Sequence, residues 1–109
     1  MSASEYLLIL KKLLLKNRHV VAERDYFKIY LPKEYNDIWK YIHENKIRVD
    51  IIIILPYTIN NVDKLLIMNK LISKQHIQYK IYLPKTYNPI WHKLSAEKQK
   101  VDLIIVFKV

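Results

Sequence analysis

Apolar and polar residues alternate in two short stretches of the chain, and two other stretches are nearly all apolar. The segments from Tyr26 to Leu31 and from Ile77 to Leu83 alternate, as half-exposed strands do. The segments from Val49 to Leu55 and from Val101 to Phe107 are mostly apolar and β-branched, which is typical of strands covered on both faces. The pattern therefore predicts four strands, two of them central in a sheet.

Leucine-rich segments precede each alternating strand and predict two helices. Ser2 and Glu5 form a capping-box pattern, and the leucines that follow predict a helix from Ala3 to Lys16. Asn60 or Asn61 is placed to cap the second helix of this kind. Its apolar residues would be Leu65, Leu66, Met68, Leu71 and Ile72. We expect both helices to pack on the core.

A Pro-Lys-x-Tyr-Asn turn and a short amphipathic segment join each alternating strand to the apolar strand after it. The asparagine of the turn is placed to cap a helix, and Pro89 fits the first helical position. The aromatic residues would pack the turn and the core, although an alternative is that they line a symmetric recognition groove. The motif consists of Tyr35, Asn36 and Trp39 in one copy and Tyr87, Asn88 and Trp91 in the other.

The two halves of the chain are copies of one unit. Residues 27–55 align without a gap on residues 79–107 at an offset of 52, and 15 of the 29 positions are identical. The leucine-rich segments match at an offset of 58, which implies six extra residues between Asn17 and Asp25, where His19 to Glu23 could form a hairpin arm. We predict a single domain over residues 1–109 with repeats over 3–55 and 61–107.

The predicted fold class is α/β, with α+β as the alternative. Duplicated helix–strand–helix–strand units predict a four- or five-stranded sheet, mixed or parallel, with helices packed on it and pseudo-twofold symmetry. If all helices cover one side, the other face of the sheet is apolar and a second copy would cover it. That face would present Ile52, Ile54, Ile104 and Val106. We therefore expect a homodimer.

Composition narrows the classes of function. The chain has 19 Lys and Arg against 10 Asp and Glu, and its formal net charge of +9 attracts phosphate groups and other anions. Sixteen of these cations are lysines, so nucleic-acid binding would depend on charge and shape more than on base sequence. The chain has no cysteine and no glycine, which excludes thiolate chemistry, cysteine-ligated zinc, the P-loop and the dinucleotide fingerprint.

Lysines and tyrosines share one face of the two alternating strands. Such a face can stack bases and hold phosphates, although a merely solvated sheet face has the same composition. The candidate nucleic-acid-binding residues are Tyr26, Lys28, Tyr30, Lys80 and Tyr82 on the strands, with Lys33 and Lys85 in the turns. The predicted function is therefore a small basic, non-enzymatic protein that binds nucleic acid with low specificity. The alternative is a self-associating structural or protein-interaction module.

Catalytic signatures are weak. Asp50 and Asp102 occupy matched positions and would either form a carboxylate pair or accept hydrogen bonds from backbone amides or nearby cations. The histidines have no metal-ligand spacing, and Ser73 and Ser95 lack a nucleophile signature. We predict no catalytic residue, metal, cofactor or small-molecule substrate.

The longest apolar stretch near the N terminus is interrupted by Lys11 and Lys12, and no small-residue cleavage site follows it. We therefore predict a cytoplasmic protein without a signal peptide or a membrane span. The residue usage of Ile51 to Ile54 and of Lys28 to Lys33 resembles that of small proteins of filamentous viruses infecting hyperthermophilic archaea. The resemblance implies a viral protein in the host-cell cytoplasm, with no known activity.

Overall fold

The computed structural model describes Ile9 and residues 11–108. In these residues the chain has two short helices and two sheets of four antiparallel strands each, so the α+β fold class is confirmed. The first half contains β1 (Lys12–His19), β2 (Val21–Glu23), β3 (Tyr26–Tyr30), α1 (Asn36–Glu44) and β4 (Val49–Ile59). The second half contains β5 (Val62–Lys70), β6 (Ser73–Gln75), β7 (Gln78–Tyr82), α2 (Asn88–Ala96) and β8 (Lys100–Phe107). A 3-10 turn precedes each helix, at Lys33–Tyr35 and at Lys85–Tyr87.

Each sheet combines strands from both halves. Sheet A has the strand order β1-β8-β4-β5, and sheet B has the order β2-β3-β7-β6. The apolar strands β4 and β8 are central in sheet A, as their composition predicts. Their alternate residues are buried in the core, among them Ile51, Ile53, Leu103 and Ile105. Ile29 and Ile81 from sheet B and the tryptophans of the two helices are buried in the same core.

One pseudo-twofold axis relates the two halves. In sheet A it passes between Ile52 and Ile104, which are partners in the β4–β8 register and lie 52 positions apart in the chain. In sheet B it passes between Ile29 and Ile81, which are partners in the β3–β7 register at the same offset. The predicted pseudo-twofold symmetry is therefore present in both sheets.

The second leucine-rich segment and residues 12–16 of the first are strands, so the predictions of helices there are wrong, whereas Ile9 is helical as predicted. Strand β1 begins at Lys12, and the part of the helix predicted over residues 1–8 and at residue 10 lies outside the described residues. In β5, Leu65 and Ile67 are buried while Leu66 and Met68 are exposed, which is the period of two expected of a strand. A continuous apolar run fits both periods, and pairing with a neighbouring strand decides between them.

The asparagines expected to cap that helix form a hairpin turn instead. Asn60 and Asn61 both have positive φ, at 51° and 65°, and Ile59 pairs with Val62 across them. Positive φ at both central residues is the requirement of a type I′ turn, and asparagine tolerates it without glycine. The turn joins the two repeats as the hairpin β4–β5.

The repeat continues upstream at a constant offset of 52, so the predicted six-residue insertion is wrong. Strand β1 matches β5, and the left-handed residues Asn17 and Asn69, with φ of 58° and 56°, occupy equivalent positions. The hairpin arm predicted between His19 and Glu23 is confirmed, because β2 pairs with β3. Its equivalent in the second half is β6, which pairs with β7.

The prediction of one mixed or parallel sheet is wrong, because there are two sheets and every strand pair in them is antiparallel. Helix α1 leads from β3 in sheet B to β4 in sheet A, and α2 leads from β7 to β8 in the same way. Each helix therefore joins two sheets, and the pairing within each sheet stays antiparallel. Among the described residues, no helix has the length and apolar character that crossing a membrane requires.

Candidate nucleic-acid interface

The outer face of sheet B carries the lysines and tyrosines that the sequence singles out. Strands β3 and β7 are adjacent and antiparallel, with Lys28 opposite Tyr82 and Tyr30 opposite Lys80. The ammonium of Lys28 lies 4.8 Å from the centre of the Tyr30 ring, and that of Lys80 lies 4.7 Å from the centre of the Tyr82 ring. The fold therefore brings these four candidate residues together on one face.

Lys28 and Lys80 are buried within that face, so the expectation that they lie on a solvated surface is wrong. Each residue is only 4% exposed. The Lys28 Nζ lies 3.1 Å from the Glu23 carboxylate, and the Lys80 Nζ lies 3.9 Å from the same oxygen atom. Lys80 also donates a hydrogen bond of 2.6 Å to Gln75. The two lysines thus contribute to the packing and internal charge pairing of this face.

These contacts change the titration of the groups involved. The hydrogen bond from Lys28 lowers the pKa of the Glu23 carboxyl, and the charges of Lys28, Lys80 and Arg24 act in the same direction. Burial by itself would lower the pKa of Lys28, but hydrogen bonds and charge interactions with Tyr30 and Glu23 outweigh it, so that pKa is raised. Both groups are therefore held in their charged forms.

A cleft of about 710 Å³ opens beside Glu23, and we call it the basic cleft. Its lining includes the cations Arg24, Lys70 and Lys85, the tyrosines Tyr26 and Tyr82, and the carboxylate of Glu23. The rings of Tyr26 and Tyr82 meet edge to face, with their centres 6.0 Å apart. The ammonium of Lys85 lies 4.5 Å from the centre of the Tyr26 ring, which is 46% exposed.

The cations of the basic cleft come from three different parts of the chain. Arg24 is in the β2–β3 turn, Lys70 is the last residue of β5, and Lys85 begins the 3-10 turn after β7. Tyr26, Tyr82 and Lys85 were candidates from the sequence, whereas Arg24 and Lys70 were not. The positive φ of Arg24, 53°, makes the tight turn that carries it beside the cleft, and no sequence pattern marks that conformation.

The equivalent region of the other repeat has different side chains. Tyr30 and Lys33, the remaining candidates, correspond to Tyr82 and Lys85, but Gln78 stands where the basic cleft has Tyr26. Arg18 corresponds to Lys70, and its guanidinium donates hydrogen bonds of 3.3 and 2.8 Å to the carbonyl oxygen of Tyr30. The duplication has thus kept a tyrosine pair and three cations together on one side only.

The repeated aromatic motif has a structural role. The indole N–H groups of Trp39 and Trp91 donate to the carbonyl oxygens of Pro32 and Pro84, each at 2.9 Å. Both tryptophans are fully buried, so they do not line an open groove. Tyr35 and Tyr87 pack edge-on against them, with ring centres 6.1 Å apart in both copies.

The prediction that Asn36 and Asn88 cap the helices is wrong. Each is the first helical residue, preceded by Tyr35 or Tyr87 at the cap position, and no side-chain cap hydrogen bond is present at either described helix. The 3-10 turn runs directly into the helix and advances its start by one residue. The Asn36 amide donates to the carbonyl oxygen of Ile77 instead, at 3.3 Å.

Asp50 and Asp102 bind backbone amides and do not form a catalytic pair. The Asp50 carboxylate accepts a hydrogen bond of 2.9 Å from the amide of Asn69, and Asp102 accepts one of 2.9 Å from Asn17. They lie on opposite sides of the Ile52–Ile104 pair in the β4–β8 register. Among the described residues, no group of three or more His, Cys, Asp or Glu side chains is placed to hold a metal ion.

Comparison with known proteins gives no match, whether to protein-family models, to curated proteins or to solved structures. The resemblance to viral proteins stays a prediction. The function must therefore be inferred from the side chains of the chain itself.

Proposed function

We propose that this protein is a small, non-enzymatic binder of single-stranded nucleic acid, with little sequence preference, and that the basic cleft is its contact site. The observation that supports this most directly is the position of Tyr26 and Tyr82 beside Arg24, Lys70 and Lys85. Proteins that bind single strands combine aromatic rings that stack on bases with cations that follow the phosphates.

The size and charge of the cleft favour a flexible strand over a rigid duplex. Its volume of about 710 Å³ lies in the range of clefts that hold nucleotide-sized ligands. The Glu23 carboxylate at the cleft repels phosphate, so phosphates should lie at the cations and bases at the tyrosine rings. A duplex keeps its bases stacked inside, and only an unpaired strand can present them in this way.

The charge of the whole molecule supports the same proposal. A net charge of +9 attracts polyanions over long distances and speeds their encounter with the protein. Tyr30 and Lys33, on the other side of the pseudo-twofold axis, offer a further ring and cation to a longer strand. A cytoplasmic location belongs to this proposal, because nucleic acid is present there, and a viral and thermophilic origin stays a prediction with it.

Fluorescence anisotropy tests the proposal with labelled single- and double-stranded oligonucleotides of about ten nucleotides. We expect saturable binding that favours the single strand and weakens steeply between about 50 and 200 mM salt. Lys70→Ala plus Lys85→Ala should weaken the binding at least about tenfold and reduce its salt dependence.

The matched control is Lys40→Ala plus Lys11→Ala, which removes the same charge from exposed positions that do not line the basic cleft. This variant should change the affinity less than about threefold. Absence of binding at low salt, or equal losses for the two double variants, would contradict the proposal. Equal losses would mean that net charge alone attracts the nucleic acid.

The second candidate function is self-association, which the outer face of sheet A favours. Leu14, Leu66 and Met68 on that face are 51%, 57% and 58% exposed, and contiguous exposed apolar residues mark interaction surfaces. The expected homodimer belongs to this proposal. Sedimentation equilibrium of the protein alone tests it, and a molecular mass that stays at 13.2 kDa at all concentrations would contradict it.

A further inference from the structure

We infer that two copies of this chain meet face to face through the outer side of sheet A, on the pseudo-twofold axis. This inference specifies the proposed self-association and is independent of nucleic-acid binding. Four apolar residues lie side by side across the four strands, and we call them the apolar row. In register order they are Leu14, Ile104, Ile52 and Leu66.

The apolar row is open at both ends and only partly covered in the middle. Leu14 and Leu66 are 51% and 57% exposed, and Ile52 and Ile104 are half-buried. The core of the protein lies on the other side of the same strands, where Ile51 and Ile53 are fully or almost fully buried. The row is thus a second apolar surface on the sheet, and water contact with it is unfavourable.

The symmetry of the row points to a second copy as its partner. Leu14 and Leu66 are equivalent residues of the two repeats, as are Ile52 and Ile104. The pseudo-twofold axis therefore leaves the face at the middle of the row. A surface that is symmetric about its own centre can match an identical surface turned over onto it, which is the geometry of an isologous dimer.

The charges beside the apolar row are self-complementary. On one side, Val106 lies between Lys12 and Asp50, and on the other, Ile54 lies between Lys64 and Asp102. When a second copy is turned over about an axis in the plane of the sheet and stacks about 10 Å away, each of these lysines is offset by about one strand spacing, about 4.8 Å, along the sheet from an aspartate of the other copy. Long lysine side chains can span that offset. These contacts reduce the repulsion between two molecules of net charge +9 at this face, where Asp50 also forms an ion pair of 3.4 Å with Lys108 of its own chain.

The size of the face sets the expected affinity. Four strands about 4.8 Å apart and about five residues along each strand give a projected area of roughly 300 Å². A standard interface buries about 800 Å² of accessible surface on each partner, so this face is well below the standard size and fits a weak, transient dimer. We therefore expect a dimer that dissociates in the micromolar range.

Sedimentation equilibrium between about 1 and 500 µM protein, without nucleic acid, tests the inference in the range expected for a small interface. The molecular mass should rise from 13.2 kDa towards twice that value. Leu14→Lys plus Leu66→Lys should raise the dissociation constant at least about 100-fold, because it places four lysines at the interface. The less severe Leu14→Thr plus Leu66→Thr keeps strand propensity and should weaken the dimer by a smaller factor.

The matched control is Leu71→Lys plus Ile77→Lys, which adds the same charge at residues 42% and 68% exposed outside sheet A. This variant should dimerise as the unaltered protein does, and far-UV circular dichroism should show that both lysine variants are folded. A mass of 13.2 kDa at every concentration would overturn the inference. A dimer that resists both substitutions in the row, or that the control variant abolishes equally, would also overturn it.

Failure of this inference is distinguishable from failure of nucleic-acid binding. Apolar association persists as salt is raised, whereas contact with phosphates weakens. Lys70→Ala plus Lys85→Ala should leave the dimer intact, since neither lysine belongs to the apolar row.

Discussion

Glu23 shows how a single residue organises the outer face of sheet B. Its carboxylate lies within salt-bridge distance of both Lys28 and Lys80, which are equivalent residues of the two repeats. The residue equivalent to Glu23 is Gln75, which accepts a hydrogen bond from Lys80 without adding charge. One carboxylate thus forms ion pairs with two buried ammonium groups beside the pseudo-twofold axis.

Glu23→Gln should reduce the stability of the protein at neutral pH and flatten its pH dependence in acid. The pKa of Glu23 is lowered in the folded protein, mainly by the hydrogen bond from Lys28. Its contribution is therefore present above the pKa of an unfolded glutamate, about 4.3, and is lost as pH falls through the lower folded value. Urea unfolding of both proteins between about pH 7 and pH 3 measures this, and the difference between them should shrink as pH falls.

Glu44→Gln is the control, because this exposed glutamate forms no salt bridge or side-chain hydrogen bond in the described contacts. It should leave the pH profile close to that of the unaltered protein. A Glu23→Gln difference that stays constant across the pH range would show that the carboxylate charge does not act through the lysines.

For single residues, the sequence predicts on which face of a strand a side chain lies, but it does not predict how deeply that side chain is buried. Alternation along β3 and β7 correctly assigns Lys28 and Lys80 to the same face as the tyrosines. It cannot show that flanking rings and a carboxylate from β2 cover their ammonium groups. That covering depends on the register of the β2–β3 hairpin, in which Glu23 lies opposite Tyr26.

At the scale of elements, both helices end in the same way without glycine. After α1, the amide of Lys46 donates to His43 and that of Ile47 donates to Ile42, which is the pattern of a Schellman motif. After α2, Lys98 and Gln99 repeat the pattern with Ser95 and Leu94. Lys46 and Lys98 have φ of 53° and 54°, a conformation that glycine adopts more easily than lysine.

Lys46→Gly and Lys98→Gly should each stabilise the protein. Relief of the left-handed conformation is worth about 1–2 kcal/mol, and the greater freedom of glycine in the unfolded chain offsets about half of it. We expect a net increase of about 0.5–1 kcal/mol in the free energy of unfolding for each substitution, measured by urea titration. Lys40→Gly in the middle of α1 is the control and should instead cost about 1 kcal/mol. A loss of stability for Lys46→Gly would show that the lysine side chain itself supports the helix end.

The sequence best predicts the elements that have an unambiguous hydrophobic period. Strands β3, β4, β7 and β8 and both helices lie within a few residues of the predicted segments. Strands β1 and β5 were predicted as helices because runs such as Leu13 to Leu15 satisfy both periods. The left-handed Asn17 and Asn69, where the strand register shifts, are a signal that favours strands, but only the fold shows their conformation.

For the protein as a whole, the duplication predicts the pseudo-twofold symmetry, but it does not predict which strands pair with each other. Sequence identity between the halves shows which residues are equivalent, yet it does not tell whether β3 pairs with β4 or with β7. In the fold, β3 pairs with its own equivalent, β7, and β4 pairs with β8. Sheet A and sheet B turn their outer faces in opposite directions. A dimer through sheet A would therefore leave Tyr26 and Tyr82 of both copies, on the outer face of sheet B, uncovered.

The symmetry also predicts that equivalent core residues contribute similar amounts to stability. Trp39→Phe and Trp91→Phe each remove one indole N–H from a proline carbonyl oxygen and leave a small cavity in the core. An unmet buried acceptor costs about 1–3 kcal/mol, and we expect each substitution to lower the free energy of unfolding by about 2–3 kcal/mol. The two losses should agree within about 1 kcal/mol. The surroundings differ slightly, because Trp39 packs on the ring of Phe107, and the residue equivalent to Phe107 in the first repeat is Leu55. Tyr57→Phe removes only a solvent-exposed hydrogen bond from the Tyr57 hydroxyl to Glu97 and should change stability much less than either tryptophan substitution. A much larger loss for one tryptophan than for the other in urea unfolding would mean that the two repeats, although alike in structure, do not share the stability of the core equally.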